Sequence, residues 1–360
     1  MSDWETFLLG NVTVNYDARR VPVAGADRRP GPYPYYGASG VVDYVDGYLF
    51  DGDYLLISED GENLRTRKTP IAFMVSGKFW VNNHAHVVQG NEYANTRYLS
   101  YVLSGTDISG YITGSTQPKL TRSALDRITI RLPERSYQDA VVEVLGAIDD
   151  KIAVNGLAIA TSKKLLQAKF DGLRCLDGGR VTELRHIIEL KYGKALKVGD
   201  RVHGKVPVYG GNGVSGLHDF ALVEGPGIII GRKGANAGSV SWSQEGFWPI
   251  DTAFYVSPLT EVYPMEFLFF LLGSVDLRGR VGDSAIPGLN RDAALSLKVE
   301  LPSVEVACAF TEFSRPLMGL QHQLARESES LAELRDTLLP KLISGQVRVR
   351  DAEKLAEEAT

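Results

Sequence analysis

Apolar and polar positions along this chain follow two rhythms. Over residues 1–135, short apolar runs at 54–57, 71–75 and 128–132 are broken by Gly, Asp and Asn, the pattern of short strands joined by turns. Residues 180–302 repeat that style, with strand candidates at 227–231, 239–242 and 253–256. Each stretch carries one helical insertion, at 95–104 and 264–273, in matching places.

The stretches in between keep a different beat. Val141, Leu145, Ile148, Ile152, Ile159 and Leu166 are spaced alternately four and three, with Asn155 and Ser162 at the missing steps. Val306, Phe310, Phe313, Leu317, Leu320, Leu324, Leu331, Leu334 and Leu338 do the same, with Glu327 in the gap. This is the period-3.5 seam of a coiled coil. Pro133 and Pro302 stand just ahead of the two seams. Helices of about 35 residues, roughly 50 Å long, are predicted, packing antiparallel on each other with Asn155 and Glu327 helping to fix the register.

The two halves also share words. Pro34-Tyr35-Tyr36-Gly37-Ala38-Ser39-Gly40-Val41 returns as Pro207-Val208-Tyr209-Gly210-Gly211-Asn212-Gly213-Val214. Phe79-Trp80 returns as Phe247-Trp248, Leu120-Thr121-Arg122 as Leu289-Asn290-Arg291, and Leu132-Pro133 as Leu301-Pro302. A period this long marks a duplicated domain plus helix, beyond any solenoid repeat. The fold class read from this is α+β: two duplicated, mostly-β domains and two long antiparallel coiled-coil helices with pseudo-twofold symmetry. The segments are 1–135, 136–179, 180–302, 303–346 and a C-terminal tail at 347–360, charged and expected to fray over 351–360.

Composition narrows the function. No apolar run approaches the length of a membrane span, and 1–5 lacks the basic start of a secretory signal, so a cytoplasmic protein is expected. Cys175 and Cys308 are too few for a disulfide framework or a cysteine-rich metal site, and no metal site is expected. The net charge of −5 hides a division. Residues 1–135 carry 14 Lys and Arg against 15 Asp and Glu, and 180–302 carry 13 against 13. The β domains are thus near neutral, which excludes a bulk polycation and leaves room for local basic clusters facing phosphate.

On the helices the residues carry a resemblance. Leu132-Pro133 with Gln138 and Ile148-Asp149-Asp150-Lys151-Ile152 resembles the start of a conserved helix in specificity subunits of Type I restriction–modification enzymes. The run Leu334-Arg335-Asp336-Thr337-Leu338-Leu339-Pro340-Lys341-Leu342-Ile343-Ser344-Gly345 is similar to the end of the second such helix. The order of β domain, helix, β domain, helix matches that family over essentially the whole chain. The second copy departs in one place, with no Gln after Leu301-Pro302 to correspond to Gln138. The resemblance implies that each β domain is a target-recognition domain reading one half of a bipartite double-stranded DNA site. It implies that the helices recruit two methyltransferase subunits, and through them restriction subunits. S-adenosylmethionine, ATP and magnesium would then serve those partners, with no cofactor and no catalysis on this chain. Candidates for the subunit interface are Ile148, Ile152, Leu331, Leu334 and Leu338 from the seams and Leu165, Phe170 and Leu339 from off them, with Leu157 also off the seam.

Candidate DNA contacts lie where strands give way to loops: Arg65, Arg67, Lys68, Asn82, Asn83, His84, Thr116, Gln117 and Lys119, then Arg232, Lys233, Asn236, Arg278 and Arg280. Arg and Lys suit guanine edges and phosphates, and Asn and Gln suit adenine. Two glycine motifs suggest rival readings. Residues 211–216 satisfy G-x-G-x-x-G but no amphipathic helix follows, so a tight turn is predicted. Residues 199–205 imitate a phosphate loop until Val206 stands where Ser or Thr should be. A nucleotide-dependent enzyme and a coiled-coil adaptor binding only proteins are the alternatives.

Overall fold

A computed structural model describes residues 4–173, 179–282 and 287–357. The chain divides into two compact units, Met1–Ala153 with Ser328–Thr360, and Val154–Glu327. In the first, Glu5–Leu8 pairs antiparallel with Thr129–Leu132, so the β domain begins and ends on one ribbon. Between them, Thr13–Asn15, Ala85–Gly90, Tyr54–Ser58 and Ala72–Val75 form a sheet in that order. Gly40–Val45, Pro30–Gly37, Lys78–Val81 and Phe50–Asp51 form a second. The other unit repeats the plan. Its ribbon is Arg180–Glu183 with Lys298–Leu301. One sheet runs Ile188–Tyr192, Ala253–Pro258, Gly227–Gly231, Val240–Ser243, and the other Gly213–His218, Val206–Gly210, Trp248–Pro249. The α+β duplication expected from the sequence is what the two units show.

Each sequence echo has a structural job. Pro30–Gly37 and Val206–Gly210 are first strands of hairpins whose register shifts at equivalent points, Tyr35/Tyr36 and Val208/Tyr209. Both turns close on a glycine with positive φ, Gly40 at 128° and Gly213 at 96°. The G-x-G-x-x-G run is therefore a hairpin turn. Phe79 and Phe247 are fully buried, while the neighbouring Trp80 and Trp248 donate their indole N–H to the carbonyls of Val21 and Lys194. Thr121 and Asn290 cap the equivalent short helices Arg122–Asp126 and Arg291–Leu295 through their side-chain oxygens.

The long helices run Arg135–Leu173 and Val304–Ile343. In the first unit, Tyr137 donates to the Leu342 carbonyl and Arg335 to Asp149. In the second, the Asn155 amide donates to Glu327 at 2.7 Å and Gln321 to Ser162 at 2.8 Å. In each unit one number rises as the other falls, which is antiparallel packing. The two polar seam residues face each other as expected.

The second seam needs a correction. Phe313 and Leu320 are exposed, at 37% and 44%, and the buried positions beside them are Ala307, Thr311, Ser314 and Met318. Small side chains mark where neighbouring groups approach the helix most closely. Thr311 and Ser314 satisfy their hydroxyls on the Ala307 and Thr311 carbonyls of their own helix, so they can be buried without a cross-partner.

Gln138, which has no counterpart in the second copy, is wholly buried. Its amide donates to the Tyr93 and Pro133 carbonyls and its oxygen accepts from the Asn95 N–H, tying the insertion helix Thr96–Gly105 to the start of the long helix. In the second copy Ala307 takes its place, fully buried, and the Tyr263 hydroxyl donates to the Pro302 carbonyl. The departure from the motif is a rebuilt joint. The tail also differs from the expected frayed segment. Val349–Glu357 is helical, with Ala352 fully buried in the first unit's core, because Val349, Ala352 and Ala356 share a face among the charges. Cys308 is half-buried, and Cys175 lies outside the described residues.

Candidate nucleic-acid interface

In the first unit, four loops converge at one end of the sheets. The turn after Pro30–Gly37 is held by the Ser58 hydroxyl, which donates to the Ala38 carbonyl, and by the Asn82 N–H, which donates to the Tyr36 carbonyl. The Glu59 N–H donates to the His84 carbonyl, the Gly61 N–H to that of Pro118, and the Leu120 N–H to that of Glu59. The His84 ring meets Asp60 at 2.7 Å. Arg65 donates to the Gly114 and Ser115 carbonyls, fixing the hairpin that presents Thr116 and Gln117. The clusters 65–68, 82–84 and 116–119 thus form one surface.

Not every candidate is free to read a base. Asn82 is 8% exposed and accepts from the His84 N–H, so it shapes the turn. Arg67, at a φ of 47°, donates to the Ser104 and Thr106 carbonyls and closes the C-terminal end of the insertion helix. Lys119 pairs with Glu59 at 3.3 Å. Lys68, Asn83, Thr116 and Gln117 are exposed.

The second unit builds the equivalent end from different chemistry. Gly211 backs onto the Lys233 carbonyl so closely that a Cβ would lie 2.0 Å from its oxygen, and its N–H donates to Thr252. The Arg232 guanidinium donates to the Asp251 carbonyl and lies over the Tyr192 and Phe254 rings at 4.8 and 5.7 Å. The Leu289 N–H donates to the Arg232 carbonyl, the Asn290 N–H to that of Arg280. Lys233, Asn236, Arg278 and Arg280 are exposed around this frame, while Arg232 is half-buried.

Beneath the first unit's loops lies a charged network that the sequence did not disclose. The buried His86 ring meets Asp17 at 2.6 Å and the Leu120 carbonyl at 2.8 Å. Arg20 donates to Glu59 and the Ala85 carbonyl. Apart from Asp17 and Arg20, the partners are 34 to 70 residues apart, so no local spacing announces them. Burial alone would raise the Asp17 carboxyl. The His86 hydrogen bond and charge, the Val87 N–H and Arg20 outweigh that and hold it below the usual carboxylate range. A depressed carboxyl stabilises the fold above its unfolded value and loses that contribution as pH falls through the folded one. We therefore expect acid unfolding of this unit to steepen below about pH 4, and Asp17→Asn to flatten that slope. Circular dichroism across a pH series checks this, and an unchanged slope would refute the assignment.

The interface candidates on the helices divide sharply. Ile148, Phe170, Leu331 and Leu338 are buried within their own units and cannot face a partner. Phe170 in particular, expected off the seam, packs on Phe267, Phe270 and Phe310 with centroids 5.5–5.7 Å away. Ile152, Leu334 and Leu339 are half-buried against the first unit's core. Leu157 and Leu165 are exposed, at 69% and 49%.

The fold is thus a duplicated α+β module, each copy a loop-bearing β domain seated on paired helices. Residues 1–161 match the family model of the Type I restriction modification DNA specificity domain. That match falls on the first copy and includes the start of the first long helix, where the sequence resemblance was read. Over 129 residues the chain is 40% identical to the type I restriction enzyme specificity subunit S.HindORF215P of Haemophilus influenzae, covering 36% of this chain and 33% of that protein. Over 135 residues it is 28% identical to the type I restriction enzyme EcoprrI specificity subunit of Escherichia coli, again 36% and 33%. The match spans about a third of the length of these curated relatives. The crystal structure of a Type-I restriction-modification system S subunit from M. genitalium superposes with a TM-score of 0.74 over 95% of this chain and 96% of that one. At 18% identity, that likeness is one of fold.

Proposed function

We propose that this chain is the DNA sequence-recognition subunit of a Type I restriction–modification complex. Each unit's loop end reads one half of a bipartite target. The observation that carries this reading is the repetition in the second unit of the family-matched domain's plan, a closing ribbon, two sheets and an insertion helix, with exposed basic and amide side chains on the same end of both. Lys68, Asn83, Thr116 and Gln117 in one unit, and Lys233, Asn236, Arg278 and Arg280 in the other, are the reading candidates. Methyltransferase subunits dock on exposed apolar side chains of the long helices, among them Leu157 and Leu165, and restriction subunits join through them. Adenine methylation with S-adenosylmethionine and ATP-driven cleavage belong to those partners.

Replacing residues 1–135 with another reader domain is expected to change one half-site and leave the other intact. Methylation sequencing of DNA from cells carrying the hybrid and its methyltransferase reads this directly. A change in both halves would show that the units do not read independently.

A further inference from the structure

The two copies share a topology, yet the joint between insertion helix and long helix is built on opposite principles. Aligned from their caps, Asn95 and Pro264, Arg97 matches Glu266 and Tyr101 matches Phe270. Counted from Pro133 and Pro302, Val141 matches Phe310, Gly146 matches Arg315, Asp149 matches Met318 and Asp150 matches Gly319.

In the first joint the insertion helix carries the cation. Arg97 meets Asp150 at 2.8 and 3.3 Å and donates to the Gly146 carbonyl at 3.1 Å. Only glycine fits beneath it comfortably, since a Cβ on Gly146 would come within 3.1 Å of the guanidinium. The Tyr101 hydroxyl donates to Asp149 at 2.7 Å. In the second joint the insertion helix carries the anion. Glu266, 5% exposed, holds Arg315 at 2.6 and 3.4 Å, and Phe270 packs on Phe310 at 5.1 Å.

We infer that these joints form two mutually exclusive docking codes, which key each β domain to its own long helix and reject the other copy's. Crossing them brings like charges together. Arg97 would meet Arg315, and the buried Glu266 would meet Asp149 and Asp150. Tyr101 would leave its hydroxyl against Met318, and Asp149, still held by Arg335, would exchange the Tyr101 hydroxyl for the Phe270 ring. Side-chain size differs as well, since the buried Val141 stands where the buried Phe310 stands in the other copy. A chain that duplicates one domain has two sets of matching surfaces that can mis-pair, within a molecule or between molecules. Opposed charge, hydrogen bonding and volume at one joint remove that degeneracy without altering the fold. The inference does not depend on what the loops bind.

Two sets of full-length variants test it. Arg97→Glu is expected to lower the thermal midpoint of the first unit by about 5 °C more than Arg97→Ala. Adding Gly146→Arg and Asp150→Gly, which transplants the second code, is expected to recover most of the loss. If Arg97→Glu is no worse than Arg97→Ala, or the transplant recovers nothing, the charges are not a code. The second set places residues 180–301 in the position of 5–132, so that the second β domain faces the first helix. Poor refolding to monomer is expected, improved by Val141→Phe, Gly146→Arg, Asp149→Met and Asp150→Gly together. Equal monomer yield with and without those four changes, measured by size-exclusion chromatography after refolding, would overturn the proposal.

Discussion

Leu331→Glu is expected to unfold the unit formed by Met1–Ala153 and Ser328–Thr360. Leu331 is wholly buried in a core that also contains Leu145, Ile148 and Leu338. An unpaired buried charge costs on the order of 4–5 kcal/mol, a large part of the roughly 5–15 kcal/mol that holds a typical domain together. Leu157→Glu is the matched control. That side chain is 69% exposed, so its replacement should shift stability by less than about 0.5 kcal/mol. Under the proposed function it should instead weaken capture of the methyltransferase subunit. Calorimetry and co-purification read the two effects separately. A stable Leu331→Glu protein would contradict the packing, and full capture by Leu157→Glu would remove that face from the partner surface.

Phe170→Ala is expected to cost the other unit about 3–5 kcal/mol, the usual loss for an aromatic removed from a filled core. Phe170 sits among Phe267, Phe270 and Phe310, so its loss opens a cavity between three rings. The unfolding transition of Val154–Glu327 should fall while that of the first unit holds. If neither moves, the aromatic cluster is not the core it is taken to be.

What the sequence disclosed was local or periodic. The hairpin glycines, the capping Thr121 and Asn290, and the facing Asn155 and Glu327 could be read because each lies on a repeated word or a regular beat. What it withheld depends on contacts distant in the chain. The seam reading followed large side chains and so placed Phe313 and Leu320 inside, whereas small residues were buried in their stead. Phe170 looked like spare surface until the insertion helix of its own unit was laid against it. The candidate reading residues fall in loops at the strand ends. Composition alone could not separate Asn82 and Arg67, which brace the loops, from Asn83 and Lys68, which the loops display.

The nesting of one unit inside the other sets a timetable for biosynthesis. Leu331, Leu338, Leu342 and Ala352 belong to the same core as Val141, Leu145 and Ile148, yet Val154–Glu327 must be translated between them. At roughly 5–20 residues per second, that core waits on the order of 10–35 s with its apolar face uncovered, while the nested unit can already complete itself on the ribosome. Ribosomes stalled before residue 328 are therefore expected to release chains that aggregate through the unfinished first unit, unless a chaperone covers it.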